Sequence, residues 1–372
     1  MHDIPLAERE RRFVEQNEIF VEKVLKDYAL SDPGSWQLLT SRKPLPIQPV
    51  LLNDYRNLTS EERQQIREAY FSVQGVAYYI ALNPSQPSTK HPLLEIANQL
   101  KDDLNLHYPL THPLEGHPDT LSRFGPADET VKIYDLIKKD RGYREQGETA
   151  DMFSMHSYGL GSGGTVHTTA LYMDSAPLSG GYTFFQNIPV LALELAKHDI
   201  DAFKSLFLPD ALTQIRPRGK GALKVVSPVL FLNEKGDAQT FFRTSTGEYQ
   251  IKWRRDLPAL ERAMAFLNRH AEPFSLGSSF VHLTERGHGC FIRNQVIAHG
   301  RTAFVDGPLP SQKRVLSRKW FMVSERDATY KHVPGMFILK RYADLIPELF
   351  SPEFLEGEWL YDSVGDKNLR IK

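Results

Sequence analysis

Thirteen histidines, a single cysteine (Cys290) and a pair of arginines four residues apart bound the chemistry open to this sequence. Three segments gather the candidates. They are DMFSMHSYGLGSGG at 151–164, APLSGGYTFFQ at 176–186, and the run GCFIRNQVIAHGRTAFVDG followed by KRVLSRKWFM within 289–322. In the last, His299 ends an extended segment and leads into Gly300 and Arg301. Arg314 and Arg318 follow. On a strand, positions an even number apart share a face, so Arg314, Leu316, Arg318, Trp320 and Met322 would point the same way. Two guanidinium groups on a half-buried face need anionic partners, because an unpaired buried charge is costly. Carboxylates suit them, since the planar guanidinium binds a carboxylate bidentately. The plain reading is a pair of structural salt bridges to Asp or Glu. The functional reading is a carboxylate ligand. Most histidines in a chain of this size sit on the surface or satisfy a local hydrogen bond. Position and company must therefore single out any metal ligand.

Other groupings carry less. GLGSGG at 159–164 lacks the Walker spacing and a GK[ST] ending, and reads as a loop beside a site. Ser179-Gly180-Gly181 has no nucleophile elbow. His288 and Cys290 could share a strand face, but two ligands are not a site. RPRGKGALK at 216–224 reads as a solvated basic loop. One cysteine excludes an intramolecular disulfide and any cysteine-based zinc or iron–sulfur site within one chain.

The pattern N-x-x-x-x-H-G-R at Asn294 to Arg301, followed by R-x-x-x-R at Arg314 and Arg318, resembles the C-terminal signature of the iron(II)/2-oxoglutarate-dependent oxygenases. More narrowly it is similar to the clavaminate synthase-like and taurine dioxygenase-like group. The preceding GSSFVHLTERGHGCFIRN resembles the strand–turn–strand that leads to the distal histidine there. The likeness covers roughly residues 150–323. It implies His299 as the distal iron ligand and Arg314 as the anchor of the far carboxylate of 2-oxoglutarate. It gives Arg318 a reach to the cosubstrate or to a substrate carboxylate. The implied fold is a double-stranded β-helix, a jelly roll with helices outside. Iron(II) on a two-histidine, one-carboxylate face leaves positions for a chelating 2-oxo acid and for oxygen, and the family needs no other organic cofactor. A small amino-acid-like substrate is what the group implies.

The family's proximal motif is H-x-D or H-x-E, with both ligands on one strand face. His156-Ser157-Tyr158 and His167-Thr168-Thr169 are the candidates, and neither has a carboxylate in third place. Spacing favours His156. A cosubstrate-contacting strand should follow it, which GTVHTTALYMDSAP supplies. A glycine-rich turn with a threonine that touches 2-oxoglutarate should come next, which Gly180-Gly181-Tyr182-Thr183 supplies. Thr183 is thus a candidate cosubstrate contact. Starting at His167 leaves too little chain. Tyr158 then holds the carboxylate slot, with four readings. A neighbour such as Asp151 or Asp174 supplies the acid. The position is open to halide or water, as in related halogenases. The phenol itself lies at the iron, which would require a lowered pKa. Or iron binding is lost, leaving a carboxylate-binding protein.

The elements that must position these residues have two textures. Residues 6–30 space apolar side chains for an amphipathic helix. A second helix begins at Thr59, whose spacing to Glu62 makes a capping box, and is expected to run on through AYFSVQGVAYYIAL. A third covers HPLLEIANQLKDDLNL. After residue 150, β-branched and aromatic runs alternate with Gly, Pro, Asn and Asp, the texture of an antiparallel sheet system. Helices near 188–206 and 257–270 interrupt it. The fold class is therefore α+β. We expect one oxygenase-like domain over 1–372, with a mainly helical part at 1–110, a double-stranded β-helix core at 150–323 and an extension at 324–372. Apolar residues at 41% and charged residues at 24% are globular proportions. Lys+Arg 45 against Asp+Glu 46 gives a net charge of -1, which draws the chain to neither nucleic acid nor an anionic membrane. No apolar run approaches the roughly 20 residues that span a bilayer. The expectation is a soluble cytoplasmic enzyme of undetermined oligomeric state, using iron(II), 2-oxoglutarate and molecular oxygen.

Overall fold

A computed structural model describes residues 45–109, 130–135, 147, 149–158, 166–208, 211–218, 221–232, 238–244, 250–255, 257–273, 275 and 277–323. The N-terminal half contains β1 (Leu45–Pro46), β2 (Val50–Leu52), α1 (Ser60–Phe71), β3 (Val76–Ala81), α2 (Pro92–Gln99), β4 (Tyr108–Pro109), β5 (Val131–Ile133), β6 (Phe153–His156), β7 (Val166–Ser175), β8 (Ser179–Gly180) and β9 (Thr183–Asn187). Then come α3 (Ile188–His198), α4 (Ile200–Ser205), β10 (Leu212–Arg218), β11 (Gly221–Ser227), β12 (Leu230–Leu232), β13 (Ala238–Thr240), β14 (Gln250–Trp253) and α5 (Pro258–His270). Last are β15 (Ser279–Val281), β16 (His288–Arg293), β17 (Ile297–Arg301), β18 (Phe304–Val305) and β19 (Val315–Met322).

Two sheets dominate. One has the order β1-β15-β9-β17-β6; the other runs β2-β3-β16-β7-β19-β4, with β5 also on β19. Their pairings are antiparallel except β1 on β15 and β2 on β3. Strand alternation sorts side chains into layers. Tyr78, Leu171, Met173 and Leu316 from the larger sheet meet Phe185, Val281 and Ile297 from the smaller one in a single core cluster. The intervening residues point outward. Tyr79, Ala170, Tyr172 and Phe291 pack with Ile66 and Tyr70 of α1 and Leu93 and Ile96 of α2. Met155, Phe184 and Ala298 pack with Leu191 of α3, Phe203 of α4 and Leu260 of α5. The layers are thus helices, sheet, sheet, helices, an α+β arrangement.

The capping box at α1 is present. Glu62 N–H donates to Thr59 Oγ1 at 3.1 Å, and Thr59 N–H donates to Glu62 Oε2 at 2.7 Å. That helix does not run on to Leu82, however. It stops at Phe71, Gly75 turns the chain with φ 61°, and Val76–Ala81 forms β3 inside the larger sheet. Its residues are buried on both faces, and a β-branched and aromatic run buried on both sides fits a central strand better than an amphipathic helix. The third helix is also shorter than expected, ending at Gln99. Strands from the part expected to be mainly helical therefore belong to both sheets. The helices expected near 188–206 and 257–270 are α3 with α4, and α5. The expected helix at 6–30, the loop at 159–164 and the extension at 324–372 lie outside the described residues. So does the tip of the basic segment at 216–224, whose flanks form the β10–β11 hairpin.

Candidate active site

His156 and His299 are opposite each other on the antiparallel pair β6–β17. Directly opposed residues send their side chains to the same face. Phe185 on β9 opposes His299 and lies in the core between the sheets, so both imidazoles point inward. Their ring centroids are 4.5 Å apart. Both are buried. His156 Nδ1–H donates to the Ser154 carbonyl at 2.8 Å, which fixes the ring and leaves Nε2 as the lone-pair nitrogen. That Nε2, and both ring nitrogens of His299, have no hydrogen-bond partner among the described residues. Burial pushes the His299 imidazolium down to about 3, with Arg243 and then Arg318 adding to the effect. Burial likewise holds His156 well below the usual histidine range, and Arg243 contributes next. Both rings are therefore neutral at pH 7, the form that binds a metal.

Register irregularity helps to build this pair. Arg301 pairs with Phe153, one residue off the alternation set by His299 and His156. Such a bulge re-aims side chains, and the Phe153 ring stacks on His156 at 4.1 Å and 19°. Gly300, between the histidine and the arginine, admits no Cβ: one would come within 2.3 Å of Phe184 Cζ and 2.7 Å of the Phe153 carbonyl oxygen. The glycine of the H-G-R motif is thus a packing requirement.

Tyr158 lies two residues beyond His156. Its ring is 4.8 Å from the His156 ring and 4.3 Å from the His299 ring. Asn294 clamps the backbone there. Its Oδ1 accepts from Tyr158 N–H at 2.8 Å, and its Nδ2 donates to the carbonyls of Tyr158 and Val166 at 3.2 and 2.9 Å. The first residue of the N-x-x-x-x-H-G-R pattern thus holds the segment that carries the tyrosine.

The expected shared face of β19 is present. Leu316 enters the inter-sheet core, Met322 packs with Tyr158, and the Arg318 guanidinium lies 4.9 Å from the Tyr158 ring centroid and 4.2 Å from that of Trp320. Arg314, just before this strand, is buried, and its backbone N–H donates to Asp306 Oδ1 at 2.8 Å. Its Nε has no hydrogen-bond partner among the described residues, and burial pushes its pKa down to about 10. The guanidinium stands 5.2 Å from the Phe304 ring centroid, beside Gly181. Gly180 and Gly181 both have φ 77°, a left-handed turn that suits glycine. Thr183 follows that turn, buried on β9 and opposite Arg301.

The alternatives separate cleanly. His167 is on the other sheet, bonded to Thr168 Oγ1 at 2.7 Å and 6.4 Å from the Tyr70 ring. Asp174, one of the acids considered for the third ligand, is engaged elsewhere: it binds His91 at 2.8 Å, Ser317 Oγ at 2.6 Å and Lys132 at 3.1 Å. The Asp151 side chain is exposed, and its carbonyl accepts from Arg301 at 2.7 Å. His282 stacks on Tyr182 at 3.7 Å and donates to the Gly180 carbonyl. His288 meets the Tyr78 hydroxyl at 2.9 Å, and Cys290 is sealed in the core, where burial pushes its thiol up. Among the described residues no three His, Cys, Asp or Glu side chains gather as a metal site.

Two residues escaped the sequence reading. Arg301, given no role, donates to the Thr149 and Asp151 carbonyls and holds the chain that enters β6. Burial, and then Arg314, push it down to about 9. Arg243 forms an isolated antiparallel bridge with His156 and is buried beside it. Nothing in FFRTS marks that contact.

No family model matches the sequence. A uridine-5′-phosphate dioxygenase from a Streptomyces species is 29% identical over 226 residues, 59% of this chain and 77% of that protein. The crystal structure of the non-haem iron oxygenase OrfP with Fe and α-ketoglutaric acid superposes with a TM-score of 0.51 at 14% identity, covering 88% of this chain and 98% of that one. A taurine dioxygenase from Burkholderia xenovorans gives 0.47 at 18% identity over 76% of this chain and 89% of that one. No helix among the described residues is long and apolar enough to cross a membrane. In fold the chain is thus similar to the non-haem iron oxygenase OrfP, and over part of its length its sequence is similar to that of a dioxygenase.

Proposed function

We propose that this chain is an iron(II)/2-oxoglutarate-dependent oxygenase that oxidises an unactivated C–H bond of a small amino-acid-like substrate. Its core, on this reading, is a double-stranded β-helix over 150–323 within one domain. One observation carries the proposal: two neutral, buried imidazoles face each other with nitrogens that no group among the described residues satisfies. Buried polar atoms are ordinarily hydrogen-bonded, and two such nitrogens at one point suit a divalent metal.

His156 and His299 would hold the iron, the first fixed by Ser154. Arg314 would bind the far carboxylate of 2-oxoglutarate in a desolvated position, where a charge-assisted contact is strong. Thr183, beyond the Gly180-Gly181 turn, would touch the same molecule. Arg318 would meet the cosubstrate or a substrate carboxylate from across the Tyr158 ring. Iron(II) held there would supply the activation of molecular oxygen that couples decarboxylation of 2-oxoglutarate to succinate with oxidation of the substrate. Phe153, Tyr158 and Trp320 keep the surroundings apolar and water out.

Tyr158 sets this site apart. Its buried ring, packed on both imidazoles, fills the position that a halide-binding enzyme keeps small, so a halogenase-like open position is disfavoured. The absence of a third acidic ligand among the described residues favours a second reading: a metal-free protein of the same fold that binds a carboxylate ligand through Arg314 and Arg318. Anaerobic addition of iron(II) and 2-oxoglutarate separates the two. An oxygenase gains the weak visible absorption of the chelate, and His156→Ala and His299→Ala lose it. A native protein that takes up no iron would leave the carboxylate-binding reading.

A further inference from the structure

Three buried hydroxyls have no hydrogen-bond partner among the described residues, those of Thr169, Tyr172 and Ser227. Tyr172 packs with the helices on the outer face of the larger sheet, and Ser227 ends β11. Thr169 faces the other way. Leu171 and Met173 on the same strand enter the core between the sheets. The register of β7 on β19 is regular from Thr168 to Met173, so Thr169, at even spacing from both, shares their inner face. It is fully buried. Its neighbour Thr168 faces outward and is satisfied, by the Tyr70 hydroxyl at 2.6 Å and by His167 Nδ1 at 2.7 Å.

Thr169 stands directly opposite Trp320 and diagonal to Arg318. Opposed Cβ atoms are about 4.5–5.5 Å apart and diagonal ones about 7–8 Å, within reach of long side chains. The Arg318 guanidinium packs on the rings of Trp320 and Tyr158, and Tyr158 packs on both imidazoles. Arg318 Nε is also buried with no hydrogen-bond partner among the described residues. Two such polar atoms thus lie on neighbouring strands of one inner face, next to the residue that covers the histidine pair. Buried polar atoms are ordinarily satisfied. A hydroxyl buried without a partner destabilises the fold, and valine offers the same shape without it. Features that cost stability are expected where function uses them. The cosubstrate does not reach this corner. Trp320 is six residues beyond Arg314, about 20 Å along an extended chain, too far for a five-carbon diacid committed to Arg314 and the histidines.

Resting on the oxygenase reading, we infer that Thr169 is a specificity-determining residue for the primary substrate. Its hydroxyl donates to an oxyanion of that substrate, a carboxylate or a phosphate, which also accepts from Arg318 Nε. A substrate analogue lacking the oxyanion would leave both donors unpartnered in the complex, the kind of loss that gives strong discrimination.

The test compares the full native chain with Thr169→Val and Thr169→Ser on two readouts. In urea without ligand, Thr169→Val should unfold at a higher midpoint than native, because it removes the unpartnered hydroxyl. The second readout is calorimetric titration with acetate and, separately, with sulfate, into protein loaded anaerobically with iron(II) and 2-oxoglutarate. The native protein should bind one of them saturably. Thr169→Val should weaken that binding roughly tenfold, the loss of one hydrogen bond to a charged group. Thr169→Ser should retain most of it, and 2-oxoglutarate affinity should be unchanged in both. Tighter acetate binding assigns a carboxylate-bearing substrate; tighter sulfate binding assigns a phosphate. A midpoint that Thr169→Val does not raise overturns the inference, since the hydroxyl then has a partner in the free protein. So does a raised midpoint with unchanged anion affinity, which would make the hydroxyl a packing defect. No saturable binding by the native protein overturns it too, as does a parallel loss of 2-oxoglutarate, which would place Thr169 in the cosubstrate site. If Thr169→Val does not fold, Thr169→Ala takes its place in the titration, with Thr169→Ser as its control. Failure of the native protein to bind iron and 2-oxoglutarate would instead remove the oxygenase reading, and the anion titration of the unloaded chain would still report on Thr169.

Discussion

Asn294→Ala should be among the most damaging single substitutions in this protein, although Asn294 is not among the residues proposed to hold metal or cosubstrate. The side chain is 1% exposed and makes three hydrogen bonds to backbone: one from Tyr158 N–H and one each to the carbonyls of Tyr158 and Val166. Alanine leaves one donor and two acceptors without that partner. A buried polar group deprived of its hydrogen bond costs about 1–3 kcal/mol. The Val166 carbonyl has a second lone pair and water can enter the space, so we expect about 3–5 kcal/mol in all. Asn294→Asp keeps the acceptor for Tyr158 N–H but loses both donors and buries a charge, so it should rescue little. Urea unfolding should show a lowered midpoint with an unchanged slope. The same change frees the backbone that holds Tyr158 against the imidazoles, so iron retention should fall in the fraction that remains folded. A loss below about 0.5 kcal/mol, the range of an ordinary surface change, would show that the clamp does not order this segment.

Three further outcomes follow from the geometry. His156→Ala and His299→Ala should each abolish iron retention, whereas His167→Ala, His282→Ala and His288→Ala should keep it; metal content after anaerobic loading decides, and retention in His299→Ala would displace the site. Arg314→Ala should weaken 2-oxoglutarate binding by roughly 2–5 kcal/mol, tens- to thousands-fold, with folding preserved; unchanged affinity would remove the cosubstrate assignment. Asp174 is half-buried. Burial alone would raise its carboxyl, but the bonds from His91, Lys132 and Ser317 hold it below its ordinary value of 3.8. A depressed folded pKa stabilises above that value, and the contribution is lost as pH falls through the folded one. Asp174→Asn should therefore cost about 1–3 kcal/mol near neutrality, discounted for partial exposure. The gap to native should close in acid below about pH 4, as chemical denaturation across pH can show.

Local periodicity placed several residues of the candidate site on one face. The even spacing in KRVLSRKWFM placed Leu316, Arg318, Trp320 and Met322 on one face, and the β19 contacts agree, because alternation is a property of a single strand. The capping box at Thr59 is equally local. Spacing to the glycine turn preferred His156 over His167, and the structure brings His156 to His299 and leaves His167 on the other sheet. Where the reading failed, the deciding contacts were distant. The run through AYFSVQGVAYYIAL could continue a helix until β16 and β2 flanked its second half and made it a central strand. Asp174 was a free carboxylate in sequence, and only the approach of His91, Lys132 and Ser317 consumed it. Arg243 had no local signal at all, since its place beside His156 depends on an isolated bridge between distant segments. Residue types and strand period therefore determined what chemistry was available and which faces could carry it. Cross-strand register and burial decided which side chains meet, because hydrogen bonding between strands far apart in the chain leaves no periodic trace in either one.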